Sequence, residues 1–526
     1  MTLLNDHEVQ EFITNGFLRL QPDVDHEIHE NINQKLRYAT EHEFPMGNNI
    51  VSRVPALWDI VRCPRIHGAL VSLLGPRYFV HPHRAIHTSV PVEDPSVNYA
   101  EDHNGPPLGK GSMAGSGWHQ DAHSPLSRAR HHVPRYLIGF YFPHDTPKTM
   151  GPTRVQAGSY LYAQPVEPHA VIVPEDVTAG TFLLLHFDTV HAGWVNRLEQ
   201  TRYMVKFVFT RTEHPSAPTW NHDNAIWQRP KRCIPAFNVE PAWSFIWDWM
   251  RGVSQRSPSA TSKTESHYAA LNGTDQVARL NAIYSLAHVS EIKEHTARIG
   301  SLVGSGMHER ALVTNEDGKP TPRDDIKGYP RRWNERAVVV DDSAYALAAV
   351  GEAAVPALSS LLESSDPWVV INALFALGEI GPAAHDGLSQ VIRLLNHPKQ
   401  QVVRQALDTL GAIGGDISNA LPKIHSLLVE TNPDWQTPEV FRGWTGQDQV
   451  RLNAVLALLS CVNEPASHAA IESILITSLE DPNGYVPAVA TEALVRLGSK
   501  TAVQASVRYL QDRRWDDTLR GRVKSY

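Results

Sequence analysis

The chain has 526 residues, of which 42% are apolar and 20% charged, and its formal net charge is −8. That length suits two or three domains, and the acidic balance argues against a nucleic-acid-binding surface, which needs a basic stripe. Three cysteines (Cys63, Cys233 and Cys461) lie far apart with no CxxC pair, which excludes a disulfide framework or a cysteine-rich zinc site and fits a reducing compartment.

Met1 to Gln10 is polar and acidic. It lacks a basic stretch followed by an apolar run, so no secretory leader is expected. No segment reaches about 18 consecutive apolar residues, so no membrane span is expected and cytoplasm is the default location. Helical patterns cover Asp6 to Asn15 and Asp25 to Thr40. His81-Pro-His-Arg-Ala-Ile-His87 follows, with His83 and His87 on one strand face; a second metal site and plain polar strand positions are both open readings. Asn98 to Gly117 holds five glycines and reads either as a cover that excludes water from a site or as an irregular loop. Arg128, Arg130, His131 and His132 form a basic knot, read as a solvated face or as a contact for an acidic substrate. Tyr136 to Phe142, Thr181 to His186 and Tyr203 to Phe209 are rich in β-branched and aromatic residues and bounded by Gly or Pro, so they read as strands. Ser254 to Ser266 has the composition of a linker.

His119-Gln120-Asp121 is the most informative feature, with His191 and Arg202 downstream. Two imidazoles and a carboxylate hold one face of an iron(II) ion and leave the other positions for substrate and O2. A second such tripeptide, His186-Phe187-Asp188, has only His191 nearby, too close in sequence to come from a separate strand. His186 is therefore read as a strand-end residue near the site mouth. Arg202 and Met204 share one strand face, while Tyr203, Val205 and Phe207 share the other. An inward arginine among apolar side chains costs several kcal/mol unless paired. Its partner is either a bound carboxylate or a buried acid of the protein.

The order Gly117-Trp118-His119-Gln120-Asp121, Gly151-Pro-Thr-Arg-Val-Gln-Ala-Gly-Ser159, Gly180 to Asn196 with His191, then Arg202, resembles the phytanoyl-CoA dioxygenase family of iron(II)/2-oxoglutarate oxygenases. The resemblance runs from about residue 8 to 215 and includes the opening Val9 to Leu18. It implies a double-stranded β-helix (a jelly-roll, cupin-like fold) with flanking helices. It implies that His119, Asp121 and His191 ligate iron, that Arg202 anchors 2-oxoglutarate, and that Gln120 touches the co-substrate. Two positions depart from the family pattern. Ser159 is followed by Tyr160 where the family's turn usually ends in histidine, and Gly193 stands where a hydroxyl donor to the co-substrate is usual. Thr88 is the preferred substitute donor, with Ser89 or His87 as alternatives. Trp118, His186, His83, Arg84 and His87 are the expected substrate contacts. The implied reaction consumes 2-oxoglutarate and O2, releases succinate and CO2, and hydroxylates an unactivated C–H. Asp121 stands where related halogenases carry a small residue, so hydroxylation is preferred.

Beyond the linker the pattern turns helical and repetitive. Val370 to Gly381 and Val403 to Gly414 are near copies whose alanines, Ala373 and Ala406, lie 33 residues apart. Looser copies occur at Val277 to Val289, Leu347 to Gly351, Val450 to Leu459 and Ala490 to Gly498. These units resemble HEAT-type repeats, which bury their apolar faces only by stacking. The expected layout is multidomain: a dioxygenase domain over 1–253, a linker over 254–266, and an all-α solenoid over 267–526. Residues 301–341 form an irregular insertion, read as an exposed loop or as an arm reaching the first domain or a partner. The expected function is hydroxylation of a small molecule, with the repeats serving self-association or positioning. The alternative is a protein- or carrier-bound substrate docked by the repeats. No nucleic-acid or membrane partner is expected.

Overall fold

A computed structural model describes residues 1–43, 47–92, 120–121, 130–162, 171–172, 176–253, 264–271, 273–287, 292–304, 312–314, 320–322, 340–436 and 445–512. Helix α1 (Asp6–Asn15) starts from a capping box in which Asn5 and Glu8 exchange side-chain-to-backbone hydrogen bonds. It stops at Gly16, whose φ of 77° turns the chain into β1 (Phe17–Leu20). Helix α2 (His26–His42) follows, then three helices with no clear signal in the sequence pattern: α3 (Ile50–Arg53), α4 (Leu57–Arg62) and α5 (Pro64–Leu74).

The strands are β2 (Phe79–Val80), β3 (Ala85–Ser89), β4 (Tyr136–Tyr141), β5 (Thr146–Pro147), β6 (Arg154–Gln156), β7 (Val171–Ile172), β8 (Asp176–Val177), β9 (Phe182–His186), β10 (His191–Ala192) and β11 (Arg202–Thr210). The larger sheet runs β1-β9-β4-β11-β2, with β3 also paired to β11. The smaller runs β10-β6-β7, and β5 pairs with β8. Each of these strand pairings is antiparallel.

The apolar runs foreseen as strands are strands, and both faces of the larger sheet are covered. Phe140, Leu183, Leu185, Met204 and Val208 cluster on one side with Val155 of the smaller sheet. Tyr141, Phe182, Leu184, Val205 and Phe207 belong to the core shared with the helices. Alternation therefore sorts residues between two apolar layers rather than between core and water. At Gly139 an added Cβ would lie 2.4 Å from the Phe182 ring, so the close crossing of β4 and β9 needs glycine there. Helix α6 (Glu240–Met250) then packs Trp243 and Trp247 into the shared core.

The second half is a two-layer helical array. Its described helices are α7 (Thr264–Leu271), α8 (Gln276–Leu286), α9 (Ile292–Gly300), α10 (Asp342–Val350), α11 (Val355–Leu361), α12 (Pro367–Ile380), α13 (Leu388–Leu394), α14 (Gln400–Ile413), α15 (Leu421–Val429), α16 (Gly446–Cys461), α17 (His468–Ser478), α18 (Tyr485–Leu497) and α19 (Lys500–Gln511). Helices α8, α10, α12, α14, α16 and α18 stack side by side as one layer, and α9, α11, α13, α15, α17 and α19 form the other. The sequence copies all fall on the first layer. Its helices approach closely because their facing residues are small. The Thr409 hydroxyl on α14 donates to the Leu374 carbonyl on α12 at 2.7 Å. Asp366 caps α12 by accepting from the Trp368 amide. The stretches Asp342–Leu361 and Pro367–Leu394, with mean hydropathy 1.3, pass a length-and-composition test for membrane spans. Each is a helix pair of the array, interrupted at Gly351 or Gly381.

The first layer lies against the β-sheet-containing first half. Tyr485 Oη contacts His83 Nδ1 (2.9 Å) and Asn48 Nδ2 (2.6 Å), and Arg496 donates to the carbonyls of Arg77 (2.9 Å) and Tyr78 (3.1 Å). One buried apolar cluster runs through both halves. A cavity of about 50 Å³ remains at the seam, lined by His131, Arg135, Thr210, Glu379, Gln405 and Thr409 among others; it has room for a few waters. Of the insertion, residues 301–304 and 340–341 at its ends and the antiparallel ribbon β12 (Leu312–Thr314) and β13 (Pro320–Pro322) are described. The question of an arm contact lies outside the described residues, as does most of the linker.

Candidate metal and co-substrate site

The pairing of β3 with β11 sets Ser89 opposite Arg202, His87 opposite Met204 and Ala85 opposite Lys206. Directly opposed residues of an antiparallel pair share a face, so Ser89, His87, Arg202 and Lys206 stand on one side of the sheet. Met204 and Val208, on the same face, belong to the cluster between the two sheets. The smaller sheet supplies His191 from β10, and Asp121 enters from the preceding segment.

Asp121 and His191 meet. Asp121 Oδ2 lies 3.9 Å from His191 Nε2 and also forms a buried ion pair with Lys206 Nζ. His191 Nδ1 lies 2.9 Å from the Thr189 carbonyl. A carbonyl only accepts, so Nδ1 carries a proton and Nε2 is the ring nitrogen that faces Asp121. This arrangement suits a histidine that ligates a metal through Nε2. The Phe140 ring lies 5.2 Å from the His191 ring. His119 and Trp118 lie outside the described residues. Among the described residues no three His, Cys, Asp or Glu side chains gather as a metal-binding group.

Arg202 is almost wholly buried. Its Nη1 donates to the Gly151 carbonyl at 2.8 Å, and Nε has no partner among the described residues. Burial alone lowers its pKa to about 10, and no described carboxylate pairs with it. A buried acid partner is therefore absent among the described residues, and part of the guanidinium fork stays open. Ser89 Oγ, on the opposed residue, is likewise buried without a described partner. His87 completes this face. Burial, reinforced by Lys206 and only partly offset by Asp121, lowers its pKa to about 3, so it is neutral.

Several expected site residues are placed elsewhere. Thr88 lies opposite Tyr203, on the far face of the sheet with Ile86 and Val205, because one step along a strand reverses the side. The Gln120 amide donates to the carbonyls of Tyr162 (3.0 Å) and Asp188 (2.9 Å), leaving only Oε1 free of described partners. That oxygen is an acceptor and would repel a carboxylate. His186 Nε2 donates to the Val133 carbonyl (3.2 Å), its Nδ1 accepts from the Asp188 amide (3.2 Å), and its ring stacks on Tyr160. Both ring nitrogens are engaged within the protein. His83 faces Tyr485 of α18, and Arg84 lies over Trp58, with its amide bonded to Asn48. His83 belongs to the contact between the halves, while Arg84 is held by residues of the first half; the chain bends before β3 begins. His87 alone of that cluster reaches the site face.

The described part of the basic knot is not a solvated face, and Arg128 lies outside the described residues. Arg130, His131 and His132 are buried at the seam and bound there. Lys206 was missed. The signal was present: alternation that turns Arg202 inward also turns Lys206 inward, four residues on.

A family model described as HEAT repeats matches residues 355–437. No curated protein matches the chain. Among solved structures, the chain is similar to EctD from S. alaskensis with 2-oxoglutarate and 5-hydroxyectoine, at 14% identity and TM-score 0.31, covering 45% of this chain and 86% of that one. It is also similar to the non-heme alpha ketoglutarate dependent epimerase SnoN from nogalamycin biosynthesis, at 15% identity and TM-score 0.29, covering 39% of this chain and 81% of that one. A third is AviO1 from Streptomyces viridochromogenes Tue57, at 14% identity and TM-score 0.28, covering 44% of this chain and all 100% of that one.

Proposed function

We propose that the chain is an iron(II)- and 2-oxoglutarate-dependent dioxygenase of the phytanoyl-CoA dioxygenase type, built on a double-stranded β-helix, that hydroxylates a small molecule. The observation that carries this reading is the meeting of Asp121 and His191, from distant parts of the chain, beside a buried Arg202 with no described acid partner. The residues fit the metal. Asp121 supplies an anionic oxygen, His191 a neutral imidazole whose Nε2 faces that carboxylate, and His119 is the expected third ligand. Iron(II), with 2-oxoglutarate and O2, supplies the oxidising power for hydroxylation, with succinate and CO2 as the other products.

The chain's own residues bind, orient and exclude water. Arg202 grips the far carboxylate of 2-oxoglutarate through its open N–H groups. Ser89, rather than Thr88, donates the additional hydrogen bond. Phe140, Met204 and Val208 line the space between the sheets with apolar surface, which keeps the reacting centre dry. Lys206 holds the Asp121 carboxylate in place. His87, neutral at physiological pH, is the described residue best placed to meet substrate.

The solenoid layer that would dock a protein substrate lies against the chain's own first half. This supports the small-molecule reading over the docked-protein one.

The test is anaerobic addition of iron(II) and 2-oxoglutarate to the full chain, read by the visible charge-transfer band, then succinate release in air. The Asp121→Ala and His119→Ala variants are expected to lose both signals. Arg202→Ala is expected to retain iron and to raise the 2-oxoglutarate requirement by roughly tenfold or more, the equivalent of about 1.4 kcal/mol. Normal turnover by Asp121→Ala would sink the assignment.

A further inference from the structure

The helical array touches the site's supports as well as the back of the sheet. Tyr345 on α10 donates its hydroxyl to the Arg130 carbonyl at 2.8 Å, and its ring stacks on His132 at 4.0 Å. Glu379 on α12 accepts from His131 Nδ1 (2.9 Å) and Arg135 Nε (2.5 Å), while the Gly378 carbonyl accepts from Arg135 Nη2 (2.6 Å). With Tyr284 of α8 meeting His132 Nδ1 at 2.6 Å, the stretch Arg130 to Arg135 is pinned by three helices of the array.

That stretch in turn holds Asp188. Arg130 Nη1 donates to Asp188 Oδ1 at 2.8 Å, and the His131 amide to Oδ2 at 3.3 Å. Asp188 joins the two ligand segments. Its carbonyl receives the amide of Gln120, the residue before Asp121. It also opens the turn that carries Thr189, whose carbonyl fixes the His191 ring. Tyr345, Glu379, Arg130, His131, Asp188, Gln120 and Thr189 are all buried, and Arg135 is half-buried.

Adhesion alone does not need such a network. Burying charged groups costs several kcal/mol per ion before pairing returns it, and apolar side chains of like volume often hold an interface as well. What a hydrogen-bonded polar network adds is direction, since each hydrogen bond tolerates little misalignment.

We propose that Glu379 and Tyr345 are positioning residues for the iron site: the helical array, through Arg130, His131 and Asp188, sets the mutual placement of Asp121 and His191. The inference rests on the proposed reading of the site. It makes the array a wall of the enzyme, so that a change in a repeat helix alters metal binding.

The test uses the full chain carrying Glu379→Gln, Tyr345→Phe or Asp188→Asn. Glu379→Gln keeps the shape and removes the charge; Tyr345→Phe removes one hydroxyl and keeps the stacked ring. Iron(II) is titrated anaerobically at saturating 2-oxoglutarate and read by the charge-transfer band, with thermal midpoints alongside. Loss of a hydrogen bond supporting a metal ligand commonly weakens binding by about 10- to 100-fold. Asp188→Asn is expected in that range. Glu379→Gln and Tyr345→Phe, one contact further out, are expected to weaken iron(II) by roughly three- to tenfold. Arg393→Ala, in an exposed pair with Glu363 on the outer layer, is expected to match the parent. Parent-like iron binding by both Glu379→Gln and Tyr345→Phe overturns the inference and leaves the site reading intact. Equal weakening in Arg393→Ala overturns it too. A parent protein that binds no iron(II) overturns the site reading and this inference with it. If Glu379→Gln does not fold, Tyr345→Phe carries the test alone.

Discussion

Arg202 and Lys206 point the same way because strand side chains alternate, and that parity decides what the site contains. The same rule divides Thr88 from Ser89. Ser89→Ala is expected to raise the 2-oxoglutarate requirement, while Thr88→Val leaves it unchanged; titration of the charge-transfer band distinguishes them, and the reverse order would exchange their roles. Lys206 is the counter-cation of a buried carboxylate. Removing one partner of such a pair costs roughly 3–5 kcal/mol, because the other charge stays buried alone. Lys206→Met should therefore lower the thermal midpoint of the metal-free protein by several degrees, with iron(II) restoring part of the loss by supplying positive charge. An unchanged midpoint would mean that Lys206 contributes little to holding Asp121.

The repeat helices depend on small residues where their axes approach. An added Cβ at Gly411 on α14 would lie 3.0 Å from Ala457 Cα on α16, tighter than side chains usually pack. The obstacle is backbone, which cannot rotate away. Gly411→Val is expected to destabilise the chain by roughly 1–3 kcal/mol through overpacking, read as a lower denaturant midpoint. An equal midpoint would show that the two helices can separate freely. The strands follow a different logic. β9 is buried on both faces, so its sequence is a continuous apolar run, and which leucine faces the site is set by register against β4 and β1.

Taken whole, the molecule is one body at the seam, and its charge pattern there gives it a pH dependence. Burial lowers the pKa of His132 to about 3, from 6.5 in the open chain, and does the same for His214, which packs against Gly381. Below 6.5 the unfolded chain takes up protons that the folded seam refuses. Stability is therefore full above about 6.5 and falls as pH drops toward 3, by about 1.4 kcal/mol per unit for each such group. Glu379 acts lower. Burial would raise it, but Arg135 and His131 outweigh burial and hold it at about 2. Its contribution is complete above 4.5 and lost as pH falls from there toward 2. Denaturation of the full chain at pH 7 and pH 5 is expected to show lower stability at pH 5, and a smaller difference in His132→Phe. Equal stability at both values would contradict the neutral buried state of these histidines.

Local chemistry is legible in the chain wherever it restricts which residues can stand at a position. Helix α1 and the strands β4, β9 and β11 follow from apolar period and from Gly and Pro at their ends. The repeated helices of the array follow from small residues and leucines at helical spacing. Asp121, His191 and Arg202 stood out because ligand chemistry restricts residue type, and the fold brings Asp121 and His191 together. Tertiary structure alone decided what each polar residue faces. Arg130, His131 and His132 look like a solvated charge run until helices arrive from more than 200 residues away to bury them. Gln120 and His186 look like site residues until nearby carbonyls take their donors. A polar side chain has no destination of its own: its partner is fixed by the chain that folds over it, and that chain is distant in sequence.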